Sequence, residues 1–142
     1  MKPWPVRFYV DADTLGLAHL LVAVRTDVTY PGFQGKTVGG RDMPACPITD
    51  TETDDDVWIP VVAQAGWTII TRDQAIQRRT AEKIAVAASK AKMFAITAPG
   101  QLRNWDMLRI TLRHWDAIEA SIGENGPYIY KMTLTTLEQI EL

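Results

Sequence analysis

Apolar positions along this 142-residue chain change their period several times, and each change predicts an element. Val6 to Val10 is a short β-branched and aromatic run, which predicts a strand. The apolar stretch from Leu15 to Val24 is too long and too rich in Leu and Ala for another strand, so it predicts a buried helix. Asp27-Val28-Thr29-Tyr30 predicts a second short strand, ended by Pro31-Gly32. Residues 31–49 then scatter Pro31, Pro44 and Pro47 among Gly32, Gly35, Gly39 and Gly40. No period survives there, and the expectation is a long irregular loop of the kind that is usually functional or mobile.

Thr53 followed by Asp54, Asp55 and Asp56 supplies an N-cap and first-turn acids for a helix through Ala65, stopped by Gly66 and carrying Pro60 about two turns in. Trp67 to Thr71 is the clearest strand in the sequence and runs into Arg72-Asp73. Thr80 to Lys92 predicts a helix and Met93 to Ala98 a strand. Leu102 to Ile122 predicts one long helix closed by Gly123 and Gly126, and Tyr128 to Leu134 a last strand. Strands alternating with helices at these lengths imply the α/β class: a central, mostly parallel sheet of about five strands with helices on both faces. The length suits one core, so residues 1–142 are expected to form a single domain.

Composition narrows the function classes. With 46% hydrophobic residues spread among polar ones, a disordered or fibrous chain is excluded. The longest apolar stretch is about half of what a bilayer-spanning helix needs and contains His19, so no membrane partner is expected. The start of the chain lacks the small-residue cleavage site of a secretory signal. Cys46 stands alone, which excludes an internal disulfide and a multi-cysteine metal site and makes a reducing cytoplasm the expected location. The formal net charge of −2 does not by itself announce a nucleic-acid binder. Its distribution is more informative. Asp50, Glu52, Asp54, Asp55 and Asp56 crowd one segment without a cation, whereas Arg72, Arg78, Arg79, Lys83, Lys90 and Lys92 follow with only Asp73 and Glu82 among them.

In an open parallel sheet, ligands gather beyond the carboxyl ends of the strands. Asp11 and Asp13 follow the first strand, Asp73 follows the Trp67 to Thr71 strand, and the Asp54 to Asp56 cluster opens a helix delivered to the same edge. Each acid taken singly also reads as a helix cap, but two helices do not need five capping acids. Convergent carboxylates repel one another, and a site that collects them must protonate some or recruit a cation. Mg²⁺ or Mn²⁺ suits carboxylate and water oxygens, and it reverses the sign that a nucleic-acid backbone meets.

Other chemistry is poorly supported. His19 sits in an apolar helical run and reads as a core residue, and His114 lies between Arg113 and Trp115. Thr-Val-Gly-Gly at 37–40 lacks the Gly-Lys-Ser/Thr ending of a nucleotide-binding loop. Ser89 and Ser121 have no evident base, and Cys46 between two prolines reads as a loop residue. The five tryptophans, 4, 58, 67, 105 and 115, are expected in the core or at an interface, with Trp4 the one expected to face outward.

Three motifs within residues 6–80 resemble the PIN-domain ribonucleases, and among them the PIN-like proteins related to VapC toxins. They are Phe-Tyr-Val-Asp11-Ala-Asp13, Thr-Asp-Asp55-Asp56-Val-Trp58-Ile-Pro and Gly66-Trp-Thr-Ile-Ile-Thr71-Arg-Asp73. The last two, joined at this short spacing, are the most specific. The resemblance implies a metal-dependent endoribonuclease, commonly a toxin paired with an antitoxin. Carried over, Asp11 and Asp73 are metal ligands and catalytic acids, Asp55 or Asp56 supplies the helix acid, and Asp13 helps directly or through water. Gln74 and Ala75 stand where the fuller pattern often has another acid. Arg72, Arg78, Arg79 and Lys83 are expected to grip RNA phosphates, with a solvated helix face as the alternative for them. Beyond RNA, the expected partners are an antitoxin and a second copy in a homodimer.

Three rivals remain at this point. A haloacid dehalogenase-type phosphatase wants Asp-x-Asp-x-Thr, whereas this chain reads Asp11-Ala-Asp13-Thr14-Leu15. A receiver domain needs a lysine after the fifth strand, where Lys131 lies within it. A PIN-like binding protein with vestigial acids shares every motif.

Overall fold

Phe8, Tyr9 and Val10 are all buried because the strand they form, β1 (Phe8–Val10), has a parallel neighbour on each side and helices over each face. The computed structural model describes residues 1–72 and 80–142. After β1 come a 3₁₀ turn (Ala12–Thr14), α1 (Leu15–Val24), β2 (Val28–Thr29), β3 (Lys36–Val38) and β4 (Arg41–Met43). The middle of the chain forms α2 (Asp55–Gln64), β5 (Thr68–Arg72), α3 (Thr80–Ser89) and β6 (Lys92–Ile96). The last part forms α4 (Asn104–Arg113), α5 (Trp115–Ala120), β7 (Tyr128–Met132) and β8 (Leu137–Ile140).

Among the described residues, six strands make the main sheet in the order β2-β1-β5-β6-β7-β8, parallel except for β8. Successive side chains of a strand point to opposite faces. Phe8 therefore meets Trp115 of α5 at 4.9 Å between ring centroids, and Tyr9 meets Trp58 of α2 at 5.0 Å on the other face. α2 packs on α3, and α1 on α4. The α/β class, the parallel core of the sheet and the helices on both faces agree with the sequence reading.

Four details differ from it. The stretch expected to be wholly irregular contains the antiparallel hairpin β3–β4, closed by Gly39 and Gly40 at φ of 59° and 76°. Two consecutive residues at positive φ make the tight turn that matches strand twist, a conformation glycine adopts without strain. Lys36 and Thr37 are exposed, so this hairpin carries no apolar alternation to betray it.

The single long helix breaks at His114, which sits at φ −107°, ψ 11°, while its imidazole Nε2 lies 2.7 Å from the Thr133 carbonyl. A sixth main-sheet strand, β8, folds back on β7 through a turn in which the Thr133 N–H donates to the Thr136 carbonyl at 3.0 Å. The second helix of the sequence reading is capped by Asp54, one residue later than Thr53. Among the described residues, no helix is long and apolar enough to cross a membrane.

Candidate functional site

Register sets the site. Val10 lies opposite Ile70, and the Asp11 N–H still donates to the Ile70 carbonyl at 2.9 Å, so Asp11 leaves the sheet directly beside Thr71. The chain runs from β1 to β2 on one side and then returns to place β5 on the other. The crevice beyond β1 and β5 is thus the topological switch point, where open parallel sheets bind ligands.

Asp11 caps the 3₁₀ turn, its Oδ1 accepting from the Ala12 N–H at 2.6 Å. That bond leaves Oδ2 to accept from the Thr71 hydroxyl at 3.0 Å. Asp13 approaches from within the same turn, with its two carboxylate oxygens 3.2 and 3.3 Å from that hydroxyl and its Oδ1 3.4 Å from the Arg72 N–H. A hydroxyl has one proton and can donate to only one carboxylate at a time. Thr71 is 2% exposed, so the side where the two acids meet is poorly solvated. Two acidic side chains thus approach one hydroxyl, an arrangement that favours a proton or a cation beside them.

Asp55 joins this neighbourhood through aromatic side chains. Its Oδ1 accepts from the Trp58 indole N–H at 2.9 Å, one helical turn along α2. Trp58 stacks on Tyr9, the residue two before Asp11. Burial pushes the Tyr9 hydroxyl to a higher pKa, and the charges of Asp11, Cys46, Asp55 and Asp13 push the same way. The phenol therefore stays protonated at neutral pH and senses all three aspartates.

Asp56 diverges. It is exposed and lines an apolar groove between α2 and α3 with Pro60, Ala81, Ile84 and Ala85. Asp54 caps the helix without a side-chain hydrogen bond. Neighbours on a helix are about 100° apart, so Asp55 and Asp56 point in different directions. Arg72 donates through its guanidinium to the Gly100 carbonyl, tying β5 to the loop before α4, and its Nε is buried with no hydrogen-bond partner among the described residues. Lys83 is half-buried on α3. Asp73, Arg78 and Arg79 lie outside the described residues.

Sequence reasoning missed the bridging role of Thr71, which it read only as a strand residue. The signal was its register: a polar β-branched residue at the last inward position of a strand next to Asp-x-Asp. It also missed Asn104, whose side chain packs on the Cα of Gly16, three residues beyond Asp13; a Cβ at Gly16 would collide with Asn104 Oδ1.

The donor set fits a hard divalent cation. Mg²⁺ is commonly held by one or two carboxylates and keeps several waters, and Asp11 with Asp13 offers that pair. Among the described residues, no three His, Cys, Asp or Glu side chains come together as a metal cage.

Lys131 lies inside β7 and pairs with Glu138 of β8 at 3.2 Å, so the receiver-type lysine is not supplied. No curated protein and no solved structure matched the chain. A family model described as PIN like domain matches residues 7–98, well over half of the chain and including the whole of the Asp11–Asp13–Thr71 cluster. This is a nuclease-type fold, and its members typically use divalent metal ions. By that match, and with paired acids at the switch point of a mostly parallel sheet, the chain belongs to the PIN-like domain family.

Proposed function

We propose that the protein is a Mg²⁺- or Mn²⁺-dependent endoribonuclease that hydrolyses RNA phosphodiester bonds in the cytoplasm, as the toxin of a VapC-like toxin–antitoxin pair. The observation that carries the chemistry is the meeting of Asp11 and Asp13 on the Thr71 hydroxyl. Asp11 and Asp13 would hold the ion, with Asp55 as the helix acid and Asp73, the residue after Arg72, completing the set. A bound divalent ion supplies the positive charge that a phosphodiester needs at this edge and lowers the pKa of the attacking water.

The chain's own groups prepare that edge. The Ala12 N–H fixes one oxygen of Asp11 and so orients the other. The Thr71 hydroxyl lies within hydrogen-bond distance of both acids, and the Trp58 N–H donates to Asp55 Oδ1. Arg72, Arg78, Arg79 and Lys83 are the proposed phosphate contacts, positioning RNA without reading its sequence. A homodimer and an adjacent-gene antitoxin complete the proposal; they rest on the family resemblance.

Purified protein should cleave labelled single-stranded RNA with Mn²⁺, and both EDTA and Asp11→Asn should abolish the cleavage. Undiminished cleavage in EDTA would overturn the metal mechanism. RNA binding without cleavage, in parent and variant alike and with either ion, would favour the vestigial-acid reading. Induced expression should arrest growth, and co-expression of the adjacent small reading frame should relieve the arrest.

A further inference from the structure

Of the five tryptophans, the one that faces water is Trp105, 60% exposed, whereas Trp4 is half-buried with its indole N–H donating to the Val38 carbonyl at 2.9 Å. An exposed indole offers a flat apolar face with a polar edge. The rest of that helix face is informative. Met107, Ile110 and Thr111 bury the inner side of α4, and Trp105, Arg109, Leu112 and Arg113 form the outer stripe, spaced i, i+4, i+7 and i+8. Every member of the stripe is exposed.

Its charge is one-sided. Between Arg103 and Arg113 there are three arginines and one acid, Asp106. Asp106 is already engaged: it accepts from the Arg103 N–H at 3.0 Å and from the Arg103 guanidinium at 3.4 Å. The first of those bonds, with the guanidinium of Arg103 and the charge of Arg109, holds its carboxyl below the usual range. The outer face is therefore cationic with an aromatic platform at its head.

The stripe is also continuous with the acidic crevice. Asn104 seats on Gly16, in the first turn of α1 after Asp13, and Arg72 reaches the Gly100 carbonyl in the loop that leads into α4. Both ties place the start of α4 at the edge where Asp11 and Asp13 lie, and Trp105 is the next residue. From Trp105 to Arg113 the helix advances about 12 Å, enough for a few nucleotides.

We propose that the outer face of α4 is a track for single-stranded RNA, with Trp105 stacking on one unpaired base and Arg109 and Arg113 meeting the phosphates that follow. Aromatic stacking needs an exposed base face, which single strands offer and duplexes do not, and interleaved arginines supply a sequence-independent backbone grip. The direction of the track, away from the acid pair, rests on the nuclease reading. Binding itself does not.

The test separates the two by using Asp11→Asn protein in EDTA, where cleavage is absent. Fluorescence anisotropy with a labelled single-stranded oligoribonucleotide of mixed sequence should show binding. Trp105→Ala should weaken it roughly tenfold, Trp105→Phe should largely preserve it, and Arg109→Ala should weaken it and flatten its salt dependence. Intrinsic fluorescence should be quenched by the single strand, and the same oligonucleotide annealed to its complement should bind less well. Both altered side chains are exposed, so melting temperatures should stay close to the parent's. Single-strand affinity unchanged by Trp105→Ala and Arg109→Ala overturns the track, whether or not the parent cleaves RNA. So does a duplex preference, or a Trp105 variant that binds RNA normally and loses only a complex with another protein.

Discussion

The two ends of the main sheet handle charge in opposite ways. At the amino end of β1, Arg25 makes a bidentate pair with Asp27 at 2.8 Å for each bond, reaches Glu119 at 3.2 Å, and lays its guanidinium 4.6 Å from the Trp115 ring centroid. Opposite charges there are paired, hydrogen-bonded and covered by an aromatic surface. At the carboxyl end, Asp11 and Asp13 both approach the Thr71 hydroxyl, and their charges and that of Asp55 act on the same buried Tyr9. The first arrangement is what stability requires of half-buried charge. The second brings two acidic side chains to one hydroxyl, at the edge where the proposed cation would bind. The difference separates a structural ion pair from a candidate site, although both are built on aspartates.

The largest effect expected from breaking this contrast is on catalysis. Asp11→Asn should lower RNA cleavage about a thousandfold, roughly 4 kcal/mol in the barrier, measured as single-turnover rates with Mn²⁺ in excess. Arg25→Ala should do the reverse, leaving cleavage by the folded enzyme within a few-fold of the parent. Asp27 is 7% exposed and would lose its bidentate partner; after allowance for the partial exposure of Arg25, the expected cost is about 2 kcal/mol in denaturant unfolding.

A smaller effect is expected at Thr71. Thr71→Val keeps the strand shape and removes the hydroxyl that both acids approach, which should destabilise metal-free protein by about 1 kcal/mol and raise the metal concentration needed for half-maximal cleavage. Asp56→Asn should be nearly silent, within about 0.5 kcal/mol of parent stability, because the exposed side chain lies on the groove side of α2. If Asp56→Asn cripples cleavage while Asp55→Asn does not, the helix acid has been chosen wrongly.

The residues behind these predictions differ in how legible they are in the sequence. β1 and β5 are dense in β-branched and aromatic residues, and a parallel core leaves such runs unbroken, so both strands and the convergence of Asp11 with the end of β5 are readable from residue order alone. The choice between Asp55 and Asp56 is not, because it depends on the rotational setting of α2, and Trp58 stacking on Tyr9 fixes that setting. The β3–β4 hairpin and β8 escape because only Met43 and Ile140 among their residues are buried, so they lack the alternation that marks a half-buried strand. The break at His114 escapes for a different reason. Ile110, Thr111 and Ile118 keep a helical period across it, and the interruption comes with a contact to Thr133, distant in sequence.

Asp11 and Asp13 both approach the Thr71 hydroxyl, and the proposed function makes them the pair that a divalent cation would hold. Thermal unfolding of parent and Asp11→Asn protein near pH 7, in EDTA and then across a Mg²⁺ or Mn²⁺ titration, tests it most directly. An amide at position 11 can still accept from the Ala12 N–H while removing the like charge, so the variant should melt higher than the parent without metal. A ligand that binds only the folded state stabilises it in proportion to its affinity, so the metal should raise the parent's melting temperature and shift the variant's much less. A variant that melts lower in EDTA and responds equally to metal would contradict the account, and would make Asp11 a turn cap like any other.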